Sequence, residues 1–369
     1  MISRRNFSKR AGTLGALAAF PSIAACTAPT KMTEPKFWMP EEAEPHERTF
    51  MQWPVSRKVH PDPVFLDMLQ QSIADVANAI AEFEPVVMLM DKKFEKPARR
   101  KLSDGVDIWN IATDDLWCRD AGPCFVRNEA GTQAVRHFNF NGWGNKQIHD
   151  NDGKIAAAVA GRLGCELLDN GLVGEPGGLE FDGAGTVIAH ESSWLIANRN
   201  RGSKAEIEQK ILEAVGGRKL IWAPGLKDRD ITDYHIDALA RFTRPGSILI
   251  QLSGEEEYPG DPFSNAANET YEILRSAKDA SGKAFDLEIL LEPYDIRVKS
   301  EDFVASYVNY YVCNGAVIAA QFGDIEADAK AKEMLARLYP GREIIMLNVD
   351  PIGECGGGIH CATQQQPKV

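Results

Sequence analysis

The chain has 369 residues, of which 44% are hydrophobic and 25% charged, and it carries a formal net charge of −12 at pH 7. Such length and apolar content allow a large buried core in one or two domains. The acidity argues against a nucleic-acid binder and suits a protein that meets a small cationic molecule.

The first 26 residues stand apart from the rest. Ser3-Arg4-Arg5-Asn6-Phe7-Ser8-Lys9 fits the twin-arginine export pattern, and Ala11 to Phe20 is an apolar stretch too short to span a bilayer in the mature protein. Ile23-Ala24-Ala25-Cys26 resembles a lipobox, in which Cys26 becomes the lipid-bearing N-terminus; ordinary cleavage after a small residue is the alternative. Either route predicts export across a bacterial inner membrane, to the periplasm or to a membrane-anchored state. Residues 27–36 read as a tether, and residues 37–369 contain no long low-complexity linker, which predicts a single catalytic domain. Six cysteines follow Cys26, and an oxidising compartment would invite pairing that the sequence leaves open.

Within that domain, helical patterns cover Pro63 to Phe83, Gly153 to Arg162, Lys204 to Val215, Asn265 to Lys278 and Ile325 to Leu338. Short apolar strands follow, as in Val86 to Met90, Leu220-Ile221-Trp222, Leu287 to Leu290 and Ile344 to Leu347. Strand pairs precede the later helices and close on turn signals at Asn128 to Gly131, Asp182-Gly183, Pro245-Gly246 and Asn314-Gly315. A unit of strands and helix repeated five times predicts modules arranged around an axis, with strand ends meeting at one mouth.

The chemistry-bearing residues sit beside turns and glycines. Gly356-Gly357-Gly358-Ile359-His360-Cys361 places a cysteine behind a glycine run, where backbone can approach a ligand closely; the apolar Ile359 predicts that Cys361 hangs from a short buried strand. Its candidate partners are Trp117-Cys118-Arg119-Asp120-Ala121-Gly122-Pro123, Glu175-Pro176-Gly177-Gly178 and Asp233-Tyr234-His235-Ile236-Asp237. His235 and Asp237 alternate along an apolar segment, which predicts one face of a strand. Carboxylates around a thiolate oppose its formation unless the substrate is itself a cation. A planar guanidinium resolves the conflict, because carboxylates take its N–H groups in pairs while its charge favours the sulfur anion. Cys118 with Cys124, and Cys355 with Cys361, are spaced more widely than a structural zinc knuckle, and neither a P-loop nor a dinucleotide fingerprint occurs, so no metal or cofactor is expected.

An ordered set of segments resembles the agmatine deiminase and bacterial peptidylarginine deiminase family of guanidino-group-modifying enzymes. The set comprises Met39-Pro40-Glu41-Glu42 with Glu44-Pro45-His46-Glu47, Met51-Gln52-Trp53-Pro54, Trp117 to Pro123, Asn139 to Gly144, the Glu175 loop, Asn198-Arg199-Asn200, His235 to Phe242, and the C-terminal run ending Gln364-Gln365-Gln366-Pro367. The resemblance implies a five-bladed, pseudo-symmetric α/β-propeller, the pentein fold. It further implies Cys361 as nucleophile, His235 as general acid and base, Asp120 and Asp237 as the grip on the guanidinium, Glu175 as the support of His235 or of substrate, and Trp117 packed on the substrate's aliphatic stem. Departures from the family pattern are Pro176 and Tyr234, where glycine is usual, and Cys118 in place of an apolar residue.

The implied reaction is hydrolytic deimination of agmatine to N-carbamoylputrescine and ammonia, by a hydrolase of linear amidines. A peptidylarginine deiminase is the alternative. A non-catalytic guanidinium- or polyamine-binding lipoprotein is a third reading, favoured if Pro176 or Tyr234 displaces Glu175 or His235. A papain-like protease lacks its own sequence context around the cysteine. The mouth of such a propeller can be sealed by a second copy of the chain or left open.

Overall fold

One pairing pattern recurs five times in the computed structural model, which describes residues 37–254, 260–300 and 302–369. The export pattern, Cys26 and the tether lie outside the described residues. His46–Gln52 (β1) pairs in parallel with Val86–Met90 (β2), and β2 with Val106–Asn110 (β3). Cys124–Arg127 (β4) runs antiparallel to Gln133–Arg136 (β5), which is parallel to Glu166–Leu168 (β6). The same order holds for Leu179–Phe181 (β7), Thr186–His190 (β8) and Lys219–Ala223 (β9). It holds again for Ala240–Arg244 (β10), Ser247–Leu252 (β11) and Asp286–Leu291 (β12), then for Tyr311–Cys313 (β13), Ala316–Ala320 (β14) and Glu343–Leu347 (β15). Thr363–Pro367 (β16) lies antiparallel on β1 and gives the first sheet the edge strand that each other module makes for itself.

Parallel neighbours need a crossover, and each module supplies a helix. These are Pro63–Ala81, Ile155–Leu163, Lys204–Val215, Pro262–Ser276 and Ile325–Leu338. Their starts are written in the sequence. Asp62, Ser203, Asp261 and Asp324 each accept a backbone N–H of the first turn, and Ser203 completes a capping box with Glu206. Each such cap contributes on the order of 1 kcal/mol. The Lys204–Val215 helix ends at Gly216, whose φ of 70° suits a residue without Cβ.

Strands β8, β11 and β14 are buried along their whole length, because each is paired on both edges and covered on its faces; this is why each has an unbroken apolar centre, Val187 to Ala189, Ile248 to Ile250 and Ala316 to Ala320. The expected hairpin turns all lie where the antiparallel pairs reverse. Two local expectations fail. Ile236–Ala238 is a single 3-10 turn, not a strand, with His235 preceding it in a loop. Cys361 stands in a turn ahead of β16, not on a strand, although Ile359 is buried as expected.

Candidate active site

The module repeat explains how distant residues meet. Asp120 lies just ahead of β4, Glu175 ahead of β7, His235 and Asp237 ahead of β10, Asn309 ahead of β13 and Cys361 ahead of β16. Every module therefore offers the loop that enters its antiparallel strand. Backbone ties fasten these loops to one another: the Arg119 amide donates to the Cys361 carbonyl at 3.0 Å, and the His360 amide to the Asn309 carbonyl at 3.1 Å.

Gly177 marks the point of convergence. A Cβ added there would stand 2.7 Å from Asp120 Oδ1, 3.0 Å from His235 Nδ1 and 3.3 Å from Asp237 Oδ2. Three functional groups from two modules, with Gly177 of a third, thus border one small hollow that only glycine leaves open. Asp237 Oδ2 is in turn 3.4 Å from Cys361 Sγ, which places the sulfur beside the same carboxylate. Asn309 Nδ2 donates to Sγ at 3.2 Å, and its Oδ1 accepts the Cys361 amide at 3.3 Å. Gly358 permits this approach, since a Cβ there would come within 2.4 Å of Asn309 Oδ1.

His235 is fixed through its other nitrogen. Nε2 lies 3.2 Å from Glu175 Oε2, leaving Nδ1 toward the hollow, 3.8 Å from Asp120 Oδ1. Glu175 is locked by Arg199, whose Nε donates to both carboxylate oxygens at 2.9 Å while Nη1 donates to Asp233 Oδ2 at 2.8 Å. Asp120 accepts from Trp143 Nε1 at 2.9 Å and from the Gly177 amide at 3.2 Å. Trp117 is buried, with its ring against Gly357 in the turn leading to the nucleophile candidate.

Neither departure from the family pattern displaces these groups. Pro176 opens the 3-10 turn Pro176–Gly178 and holds Glu175 extended, at φ −132° and ψ 131°. Tyr234 takes φ 71°, an uncommon conformation for a residue with a side chain, and its ring stacks on His190 with centroids 4.8 Å apart. His190 Nδ1 meets the Tyr234 carbonyl at 2.8 Å, so the strained backbone is held from both sides. Cys118 is fully buried in place of its apolar counterpart.

Electrostatically the site is loaded with buried charge. Burial pushes the Asp120 carboxyl up to about 6, with Glu175 and Asp237 adding to the rise and His235 opposing it. For His235 burial acts downward, yet Asp120, Glu175 and Asp237 together raise it to about 9. Asp237 is also opposed by burial, but His360 holds it below the usual carboxylate value. The Cys361 thiol is pushed well above its ordinary value by burial and then by Asp237 and Asp120. In the ligand-free site, then, the thiol resists ionisation among carboxylates whose positive partners are His235, His360 and Arg199.

Sequence reasoning missed Asn309, and left His360, Arg199 and Trp143 without roles although it noted their segments. The repeat could have found Asn309: with four modules contributing a residue ahead of the antiparallel strand, the fifth points to the segment before β13. Among the described residues all six cysteines are unpaired, Cys361 included.

The model of the Porphyromonas-type peptidyl-arginine deiminase family matches residues 38–367. The chain belongs to this family. A Streptomyces coelicolor protein named "Putative agmatine deiminase" is 36% identical over 342 residues, covering 90% of this chain and 99% of that one. Among solved structures, the agmatine deiminase of Enterococcus faecalis superposes with a TM-score of 0.82 at 29% identity, covering 90% of this chain and 96% of its own. A substrate-bound agmatine deiminase of C. jejuni, at 24% identity and a TM-score of 0.78 over the same 90% of this chain and 96% of its own, shares the fold. The five sheets among the described residues are consistent with the propeller that the family resemblance implies, and the chain is a guanidino-group hydrolase by family.

Proposed function

We propose that this protein hydrolyses agmatine to N-carbamoylputrescine and ammonia through a covalent intermediate on Cys361. The observation that carries the reading is the convergence of Asp120, His235 and Asp237 on the Gly177 hollow beside the sulfur. Several acids and a thiol can share so buried a space productively only around a cation. Asp237 Oδ1 supports this, being buried with no hydrogen-bond partner inside the protein, an acceptor that a substrate N–H would satisfy.

Asp120 and Asp237 hold the planar guanidinium with its carbon facing Cys361, and its charge compensates the thiolate as the Cys361 proton passes to solvent. Sulfur attacks carbon, forming the C–S bond and shifting the C=N electron pair onto nitrogen. His235, held by Glu175, gives its proton to the departing nitrogen; the C–N bond breaks, and ammonia leaves a thiouronium on Cys361. Neutral His235 then takes a proton from water, hydroxide adds to the same carbon, and collapse breaks C–S as the adduct's hydroxyl proton passes to solvent, releasing the neutral ureido product and the thiolate. Asn309 Nδ2 offers a hydrogen bond to the sulfur whenever it is anionic. Trp117 packs along the aliphatic stem.

The agmatine reading rests on the relatives, whose names give agmatine as the substrate. Peptidyl arginine is the second reading, favoured by the twin-arginine pattern, which takes the chain away from cytoplasmic polyamine metabolism. The same pattern underlies the proposal that the protein is exported to the periplasm, and the lipobox-like Ile23-Ala24-Ala25-Cys26 the proposal that lipid on Cys26 anchors it to the membrane. Loss of labelled palmitate in Cys26→Ala tests the anchor. The substrate is decided by incubating the protein with agmatine, free arginine and an arginine peptide while measuring ammonia. Release from agmatine alone supports the first reading; release from the peptide alone overturns it.

A further inference from the structure

His360, the residue before the nucleophile candidate, is 2% exposed and sits between two acids. Its Nδ1 lies 2.7 Å from Asp237 Oδ2 and its Nε2 2.8 Å from Glu42 Oε2. A neutral imidazole has one N–H, so with both carboxyl groups ionised only the imidazolium can donate in both directions. Glu42 is held in its own right: Arg241 Nη2 donates to it at 2.8 Å, Arg119 Nη2 at 3.4 Å and the Val312 amide at 3.2 Å. Two guanidinium groups and a backbone amide therefore fix the far end of the chain Glu42, His360, Asp237. Its near end is the oxygen 3.4 Å from Cys361 Sγ.

We infer that His360, itself anchored by Glu42, is a positioning residue that clamps the Asp237 carboxylate as an anion beside Cys361, in the orientation the substrate's cation requires. Without it Asp237 would be a buried carboxylate with one oxygen unpartnered and the other facing only a thiol. Such a group turns about its own bond or takes up a proton, and either change removes half of the grip on a guanidinium. His360 does not need to touch substrate to act. Its contacts run to Asp237 on one side and Glu42 on the other, and the loops they join come from three different parts of the chain: ahead of β1, β10 and β16.

This inference rests on the deiminase reading, and its test separates the two. The full chain is compared with His360→Gln and Glu42→Gln, in active protein and in a Cys361→Ala background. Turnover of agmatine and calorimetric binding of agmatine and of millimolar guanidinium chloride are measured, together with the thermal midpoint. The expected result is a fall in kcat/KM of about 100-fold or more for His360→Gln. Agmatine and guanidinium should bind at least about tenfold more weakly in Cys361→Ala/His360→Gln than in Cys361→Ala, with a smaller loss of the same sign for Glu42→Gln. A lower thermal midpoint with unchanged KM, kcat and ligand affinity would reduce His360 to a structural role and overturn the inference. If His360→Gln does not fold, Glu42→Gln decides, because that residue contacts no substrate and Gln keeps an acceptor for His360. If the wild-type chain turns over no guanidine, the deiminase reading fails, and the guanidinium-binding comparison alone decides for or against His360.

Discussion

Asp237 Oδ2 lies 3.4 Å from Cys361 Sγ, so a buried carboxylate faces the atom that must become an anion. In the ligand-free protein this arrangement suppresses the nucleophile: burial, Asp237 and Asp120 all raise the thiol. A bound cation reverses the balance, which ties reactivity to occupancy by the right charge.

Cys361→Ser should lower ammonia release by about four orders of magnitude or more, since an alcohol in this environment is a far weaker nucleophile than a compensated thiolate. Circular dichroism and the thermal midpoint should remain close to wild type, because the replacement is nearly isosteric. Measurable turnover would remove Cys361 from the covalent role.

The pH dependence follows from the groups around Gly177. Asp120, raised to about 6 in the free protein, must be ionised to hold a cation, so kcat/KM should fall as the pH drops below about 6. The Cys361 thiol, raised well above its ordinary value in the free protein, must lose its proton while His235, raised to about 9, keeps the one it delivers. A profile of kcat/KM from pH 5 to pH 10 should therefore climb with pH and level off near pH 9. A plateau already reached between pH 6 and pH 8 would show the thiol ionised in the free protein and contradict this account.

Asp120→Asn separates stability from function. A carboxyl whose folded pKa lies above its unfolded value is penalised when ionised in the native state, and the penalty is absent below about pH 4 and complete above about pH 6. The amide should therefore gain on the order of 1 kcal/mol in urea unfolding at pH 8 and nothing at pH 4. Agmatine turnover should fall about 100-fold in the same variant. Unaltered kinetics would take Asp120 out of the guanidinium grip.

Gly177→Ala puts a methyl carbon 2.7 Å from Asp120 Oδ1 and 3.0 Å from His235 Nδ1. Both groups must shift, and displacement of this kind costs about 100-fold in kcat. The fold should tolerate it, since the clash is confined to side-chain atoms. Wild-type kcat in this variant would show that the hollow is not where chemistry occurs.

Much of the fold was legible because its punctuation is local. Asp62-Pro63, Ser203 with Glu206, Asp324 and Gly216 write helix starts and stops directly, and the Lys204–Val215 and Ile325–Leu338 helices fall where their patterns begin and end. The strand across His235 and Asp237 was misread for a physical reason. Asp233 and Tyr234 take positive φ of 61° and 71°, and the Asp230 carboxylate accepts the Thr232 and Tyr234 amides, so the chain turns where alternation alone suggests it runs straight. His360 and Asn309 stayed silent because their roles exist only across modules. Nothing in the neighbourhood of His360 in sequence announces Glu42, its partner at the other end of the described chain.

The central claim is that the sulfur anion forms here only in company with a flat cation, and competing alkylating agents test it most directly. Inactivation by 2-chloroacetamidine, a planar cation, should be at least about 100-fold faster than by the neutral 2-chloroacetamide at pH 8, with Cys361 the labelled residue. Equal rates, or a faster reaction with the neutral reagent, would contradict the account.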